Sequence, residues 1–380
     1  MESGAQAGQP CSPRAVDLLW LRAQLLRGLN GLLLIRYPEL PSLFREVGLP
    51  SMHPRSADAA WPVLPLMKLL DLLERRGHGF DVQEAVCRNL CLEDAGGAYL
   101  RRLAGYRTLE QALHGLPRDG RLISNLFGFH QILTTRRYGV SISIPLDPNH
   151  RSFAFWEWTA VILMIRLIQY FLGASWVPEE LRLRCQTSKG PVCEGPLKSV
   201  RLLHEQQHTF LSIPAELQNF RQPESVLFNL RNADPEEGFD FTQNLKQIVK
   251  AYLVDGYPSI GVFAKVTGRS ERSVQRDLAK AGCTYSDLVE EARCEWAMEL
   301  LENSELQILD IALELGYGDA SHFARAFRRW MGISPGAYRK GALLYRFDSS
   351  SKSSACVARH CAGVVPLQRR KARINTLARA

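Results

Sequence analysis

IALELGYGDASHFARAFRRWMGISPGAYR, residues 311–339, holds two short helical patterns around a glycine. Ile311 and Ala312 close the first pattern, and Gly316 follows four residues after the alanine. Two helices that cross at a steep angle need a small residue at the crossing, and the turn between them needs a backbone with positive φ. Asp319 then stands where a helix N-cap is wanted, and Phe323 and Phe327 lie one turn apart as an inward stripe. The spacing predicts a helix-turn-helix.

The same frame occurs upstream in SIGVFAKVTGRSERSVQRDLAKAG, residues 259–282. Ile260, Phe263 and Ala264 precede Gly268, Ser270 is the cap candidate, and Val274 and Leu278 form the inward pair. The outward faces of the two second helices carry Arg272, Gln275 and Arg276 in one unit and Ala320, Ser321, His322 and Arg325 in the other. Amide, hydroxyl and guanidinium groups are the chemistry that reads base edges and phosphates. Such a face alone would suit any solvated surface, and it is the duplicated small-residue and glycine frame that points to DNA. Between the units, TYSDLVEEARCEWAMELLEN (284–303) reads as one amphipathic helix with Leu288, Ala292, Trp296 and Leu300 on a stripe. A rod of that length, about 25 Å at ~1.5 Å per residue, sets two recognition helices near the ~34 Å repeat of the major groove.

Residues 257–339 resemble the DNA-binding domain of the AraC family of transcription regulators, most densely from Ile311 to Arg339. The resemblance implies a seven-helix reader of double-stranded DNA. In it, Arg272, Gln275, Arg276, Ser321, His322 and Arg325 approach bases, while Arg269, Lys280, Arg328 and Arg329 meet phosphates. Gly332, Pro335 and Tyr338 match the family's closing turn, and RNA polymerase and a second copy of the chain are implied partners. No catalytic residue and no cofactor is expected.

Charge refines this expectation. The 380-residue chain has a formal net charge of +8, and the segment 341–380 alone holds eight Lys or Arg against Asp348. Its Ser-rich start suggests a disordered basic tail that adds nonspecific attraction to DNA. Residues 256–340 hold about as many acids as bases, with Asp287, Glu290, Glu291, Glu295, Glu299, Glu302 and Glu305 crowding the connecting helix. That acidic face is expected to point away from the duplex, towards another protein.

The rest reads as an α+β domain over 15–230, led by a helical module, after a disordered start at 1–14 and before a linker at 231–245. Helical spacing in VDLLWLRAQLLRGLNGLLL predicts helix near residues 16–34, and LPLMKLLDLLERRG predicts another. LISNLFGFHQIL, RYGVSISIPL, LRLRCQT and HTFLSIP read as strands, and SVRLLHE as a short helix. TLEQALHG, WVPEELRLRC and FLSIPAEL resemble the effector domain of one branch of the AraC family, which implies sensing of a small molecule and dimerisation. Phe153, Phe155, Trp156 and Trp158 are candidates for a pocket or for core.

The apolar run Phe153–Gly173 is interrupted by Glu157, Arg166 and Gln169, which favours a buried helix over a membrane span. Nine scattered cysteines with no C-x-x-C pair, and a start without a signal-peptide pattern, fit reduced thiols in a cytoplasmic protein. One motif competes with the DNA-binding reading: HEQQH, residues 204–208, fits H-E-x-x-H, in which His204 and His208 bind zinc and Glu205 acts as base. Apolar and β-branched residues directly after His208 place it across a helix end and a strand start, and Glu216 or Glu224 would have to supply the third ligand. A second rival, a repair enzyme with a reactive thiol, would rest on Cys361 beside His360.

Overall fold

The computed structural model describes residues 19–22, 25, 37–50, 60–133, 138–186, 196–217, 241–253 and 258–348. The expected basic tail beyond Asp348, the start of the chain, and most of the expected linker lie outside them.

The N-terminal part begins with β1 (Trp20–Arg22), α1 (Leu40–Val47) and β2 (Ala60–Pro62). β1 and β2 pair antiparallel, with Leu21 opposite Trp61. Trp20 therefore sits on a strand, although its surroundings carry helical spacing. Non-local bonds explain the difference: the Trp20 N–H donates to Asn125 Oδ1 at 2.7 Å, and Ser124 Oγ donates to the Trp20 carbonyl at 2.6 Å. Once the backbone is bonded this way, local propensity loses to tertiary context. Four helices follow: α2 (Val63–Arg75), α3 (Gly79–Asn89), α4 (Gly97–Gly105) and α5 (Leu109–Asp119).

The sheet contains β3 (Gly128–Leu133), β4 (Tyr138–Ser143), β5 (Glu180–Arg182), β6 (Arg201–Leu203) and β7 (Thr209–Ser212) in the order β3-β4-β7-β5-β6. All neighbours are antiparallel except β5 and β6. The predicted short helix at SVRLLHE is thus an edge strand, β6, after a 3-10 turn at Pro196–Ser199. Seven residues with three apolar side chains fit either period, and here pairing with β5 decides.

α6 (Phe153–Leu172) is the central helix. Phe153, Trp156, Trp158 and Ile168 are fully enclosed, so the aromatic cluster is core rather than pocket lining. The Glu157 carboxylate is also buried, and it accepts hydrogen bonds from the Arg184 N–H (2.7 Å), the Cys185 N–H (2.9 Å) and the Thr209 hydroxyl. A buried carboxylate is tolerated only when its lone pairs are filled, and Glu157 spends them joining the ends of β5 and β7 to α6. Arg166 donates to the Leu90 carbonyl at 3.1 Å, which anchors the other end of the helix to α3.

Seven helices follow among the described residues: α7 (Phe241–Tyr252), α8 (Ile260–Val266), α9 (Glu271–Lys280), α10 (Tyr285–Asn303), α11 (Ile308–Glu314), α12 (Ala320–Met331) and α13 (Pro335–Asp348). α7 occupies the last residues of the segment read as linker, and α13 runs eight residues into the segment read as a disordered tail. Leu245, Ile248, Val249 and Ala251 of α7 are fully buried between β2 on one side and α10 on the other. The Tyr252 hydroxyl donates to the Gly48 carbonyl at 2.8 Å, and a Cβ placed on Gly268 would touch Leu64 at 3.0 Å. The helix-turn-helix region therefore packs directly against the N-terminal helices.

Candidate nucleic-acid interface

Both units build their turns with the same bonds. In the first, Gly268 adopts φ 68°, its N–H donates to the Lys265 carbonyl, and the next N–H, of Arg269, donates to the Ala264 carbonyl at 2.9 Å. In the second, Gly316 adopts φ 79°, its N–H donates to the Leu313 carbonyl, and the Tyr317 N–H donates to the Ala312 carbonyl at 2.9 Å. The alanine carbonyl and the glycine after it thus close each first helix and aim the chain at the second.

The recognition helices start on the expected caps. The Ser270 hydroxyl accepts from the Ser273 N–H at 3.2 Å, and the Asp319 carboxylate accepts from the His322 N–H at 2.7 Å. That bond holds the Asp319 carboxyl below the usual carboxylate range. Val274, Leu278, Phe323 and Phe327 are completely buried. With one stripe fixed inward, the opposite stripe faces solvent: Arg272, Gln275, Arg276 and Lys280 on α9, and Ser321, His322, Arg325, Arg328 and Arg329 on α12.

Ion pairs divide these candidates into two sorts. Asp277 gathers Arg269 Nη2 at 2.5 Å, Lys280 Nζ at 3.2 Å and Arg276 Nε at 3.5 Å. Burial opposes ionisation of Asp277, but the Lys280 hydrogen bond and the charges of Arg269, Lys280 and Arg276 outweigh it and hold the carboxyl below its ordinary range. The Arg269 side chain is only 13% exposed. Arg269, expected at a phosphate, also braces the turn against α9 through this charged hydrogen bond. Arg329 is exposed but donates to Glu290 of α10 at 2.8 Å. No acidic side chain among the described residues lies within ion-pair distance of Arg272, Arg325 or Arg328, which leaves these three free to meet an incoming anion. His322 Nδ1 lies 3.3 Å from Asp319 Oδ2.

α10 fixes the two units to each other. Its buried stripe is Leu288, Val289, Ala292, Trp296, Ala297 and Leu300, and Thr284 and Asp287 form a reciprocal cap at its start. Its 19 residues give a rod of about 28 Å. Arg293 on the same helix lies over the Tyr317 ring, 5.4 Å from the centroid, so the second turn is pinned to the rod. Part of the acidic side of α10 faces α7. Glu295 bonds Lys246 at 2.6 Å and Lys250 at 2.8 Å of α7, Glu291 lies 3.6 Å from Lys246, and Glu299 lies 3.1 Å from Lys250. The signal was present in the sequence as acids at 291, 295 and 299 and lysines at 246 and 250, each series spaced by one helical turn.

HEQQH lies in the connection between β6 and β7, not on a helix. Glu205 takes the left-handed conformation, φ 56°, and the Gln206 N–H donates to the Leu183 carbonyl at 2.9 Å. The backbone reverses inside the motif, so the one-face geometry of a helical zinc site, which needs His204 and His208 a full turn apart, is missing. No group of three or more His, Cys, Asp or Glu suited to a metal is found among the described residues.

Comparison with known proteins adds three findings. The family described as helix-turn-helix domain matches residues 263–341. The HTH-type transcriptional regulator VqsM of Pseudomonas aeruginosa is 30% identical over 53% of this chain and 64% of its own, and the ornithine utilization regulator of the same organism is 33% identical over 34% and 37%. The chain thus spans less than two thirds of each of these relatives. The crystal structure of the transcriptional regulator CdpR from Pseudomonas aeruginosa shares 21% identity over 80% of this chain and 98% of that one, with a TM-score of 0.34.

Proposed function

We propose that residues 263–341, which match the helix-turn-helix domain family, form an AraC-type DNA-binding domain and that the whole chain is a sequence-specific transcription regulator that reads two successive major grooves with α9 and α12. The observation that carries this reading is the repeated turn, Ala264 with Gly268 and Ala312 with Gly316, joined by a rod about 28 Å long. A rod of that length is of the same order as the ~34 Å between successive turns of B-DNA, which supports a two-groove reading.

Arg272, Gln275 and Arg276 from α9, with Ser321, His322 and Arg325 from α12, face base edges in this proposal. Arginine is suited to the paired acceptors of guanine and glutamine to adenine. Lys280 and Arg328 meet phosphates, while Arg269 and Arg329 hold the helices in place. The N-terminal α+β domain senses a small molecule, and the regulator works in the cytoplasm with RNA polymerase and as a dimer. Two relatives with regulator names support this reading at the level of the domain they share with the chain.

The test is affinity for the best duplex selected by the full-length protein from a random pool. Arg325→Ala should weaken binding by about 1–3 kcal/mol and relax base preference at one position. Unchanged affinity and unchanged preference would remove α12 from the groove.

A further inference from the structure

A groove of about 570 Å³ lies where the N-terminal helices meet the first helix-turn-helix unit. Arg45 and Val47 of α1, Pro65, Lys68, Leu72 and Arg75 of α2, and Val262, Lys265 and Val266 of α8 line it. Two properties set it apart. First, it is cationic: Arg45, Lys68, Arg75 and Lys265 stand against Glu46 and Asp71, and none of the four is in a salt bridge among the described residues. Asp71 turns one carboxylate oxygen towards His150, 3.9 Å away. Second, its floor is apolar, with Pro65 and Val266 buried, and Val262 left half exposed at its edge.

Unpaired cations from two domains around an apolar floor complement one kind of occupant, an anion with a hydrophobic body. We propose that this groove binds an organic anion, a carboxylate or sulfonate on an apolar skeleton, and is the effector site. The proposal rests on the regulator reading above and gives its sensing step a place. DNA is a poorer fit, since a phosphate backbone has no apolar body to place on Pro65 and Val262.

The groove also explains how an occupant would act. Val262, Lys265 and Val266 share one side of α8, while Phe263 and Ala264 on its other side are buried in the helix-turn-helix. An anion held by Arg45, Lys68 and Arg75 on the N-terminal side and by Lys265 on α8 ties the first reading unit to the N-terminal domain. A ligand that contacts both bodies shifts their relative arrangement by its difference in affinity for the arrangements, and operator affinity moves with it.

The test uses the full chain and the fluorescent organic anion anilinonaphthalene sulfonate as probe. The native protein should bind one equivalent saturably, and Lys68→Met and Lys265→Met, one from each domain, should each weaken binding at least tenfold. Both lysines are exposed, so neither change should unfold the chain, and Lys265→Arg should retain binding. The probe should also change the affinity of the native protein for its selected duplex by at least threefold and leave that of Lys265→Met unchanged. Equal probe binding by native and Met variants overturns the site. Loss of duplex affinity in the Met variants with unaltered probe binding would assign the lysines to DNA phosphates and overturn it as well. Failure of the regulator reading is separate: it appears as no duplex selection by the probe-free native protein.

Discussion

Arg325 and Arg328 lie one helical turn apart on α12, both exposed and both without an acidic partner among the described residues, yet their expected roles differ. Arg325 lies in the first half of the helix, which the proposed reading sets in the groove, and Arg328 lies nearer its end, where that reading places the phosphate backbone. Removing a phosphate contact weakens binding to all sequences alike and lowers the slope of log affinity against log salt by about one. Arg328→Ala should therefore behave this way, with base preference intact, whereas Arg325→Ala should alter preference. Titrations at several salt concentrations separate the two, and identical behaviour would merge their roles. Arg269 teaches the opposite lesson. Its position in the motif suggested a phosphate ligand, and only the fold shows that Asp277 holds it. Sequence spacing lists which side chains share a face, but a partner eight residues away across a turn depends on where the turn sends the chain.

Helices show the same division between what is local and what is not. The cap residues Ser270 and Asp319, the turn glycines at positive φ, and the stripes of α9, α10 and α12 were all readable, because each depends on neighbours within one or two turns. β1 and β6 were not readable, since their own residues sit in helical or mixed spacing and only a distant partner makes them strands. α10 is the element on which both units depend. Trp296 is 1% exposed at its centre, and Trp296→Ala should cost about 3–5 kcal/mol in urea unfolding of the region around it. A cost below 1 kcal/mol would mean that the rod is not the shared core of the two units.

Across the molecule, α7 connects the domains, and its charges make that connection sensitive to pH. Burial opposes ionisation of Glu295, but Lys250 and Lys246 outweigh it, so the folded carboxyl lies below its ordinary value of 4.5. Its contribution is complete above pH 4.5 and fades as pH falls through the lower folded value. Burial likewise opposes the charge on Lys250, but Glu295 and Glu299 raise it above its ordinary 10.5, so that contribution is complete below pH 10.5 and fades only in stronger base. Glu291 opposes this trend, since burial raises its carboxyl and protonation relieves it. Lys250 is 3% exposed, and Lys250→Met should cost about 2 kcal/mol at pH 7, the size of charged hydrogen bonds lost. It should also flatten the decline of stability as pH falls below 4.5. An acid decline as steep as that of the native chain would mean that other carboxylates cause it.

Footprinting of the full-length protein on its selected duplex with hydroxyl radicals addresses the paired-groove reading most directly. Two protected patches on one face, with centres about 10 base pairs apart, are expected. Arg272→Ala should fade one patch and Arg325→Ala the other. A single patch, or one that both substitutions weaken equally, would contradict the proposal that α9 and α12 occupy successive major grooves.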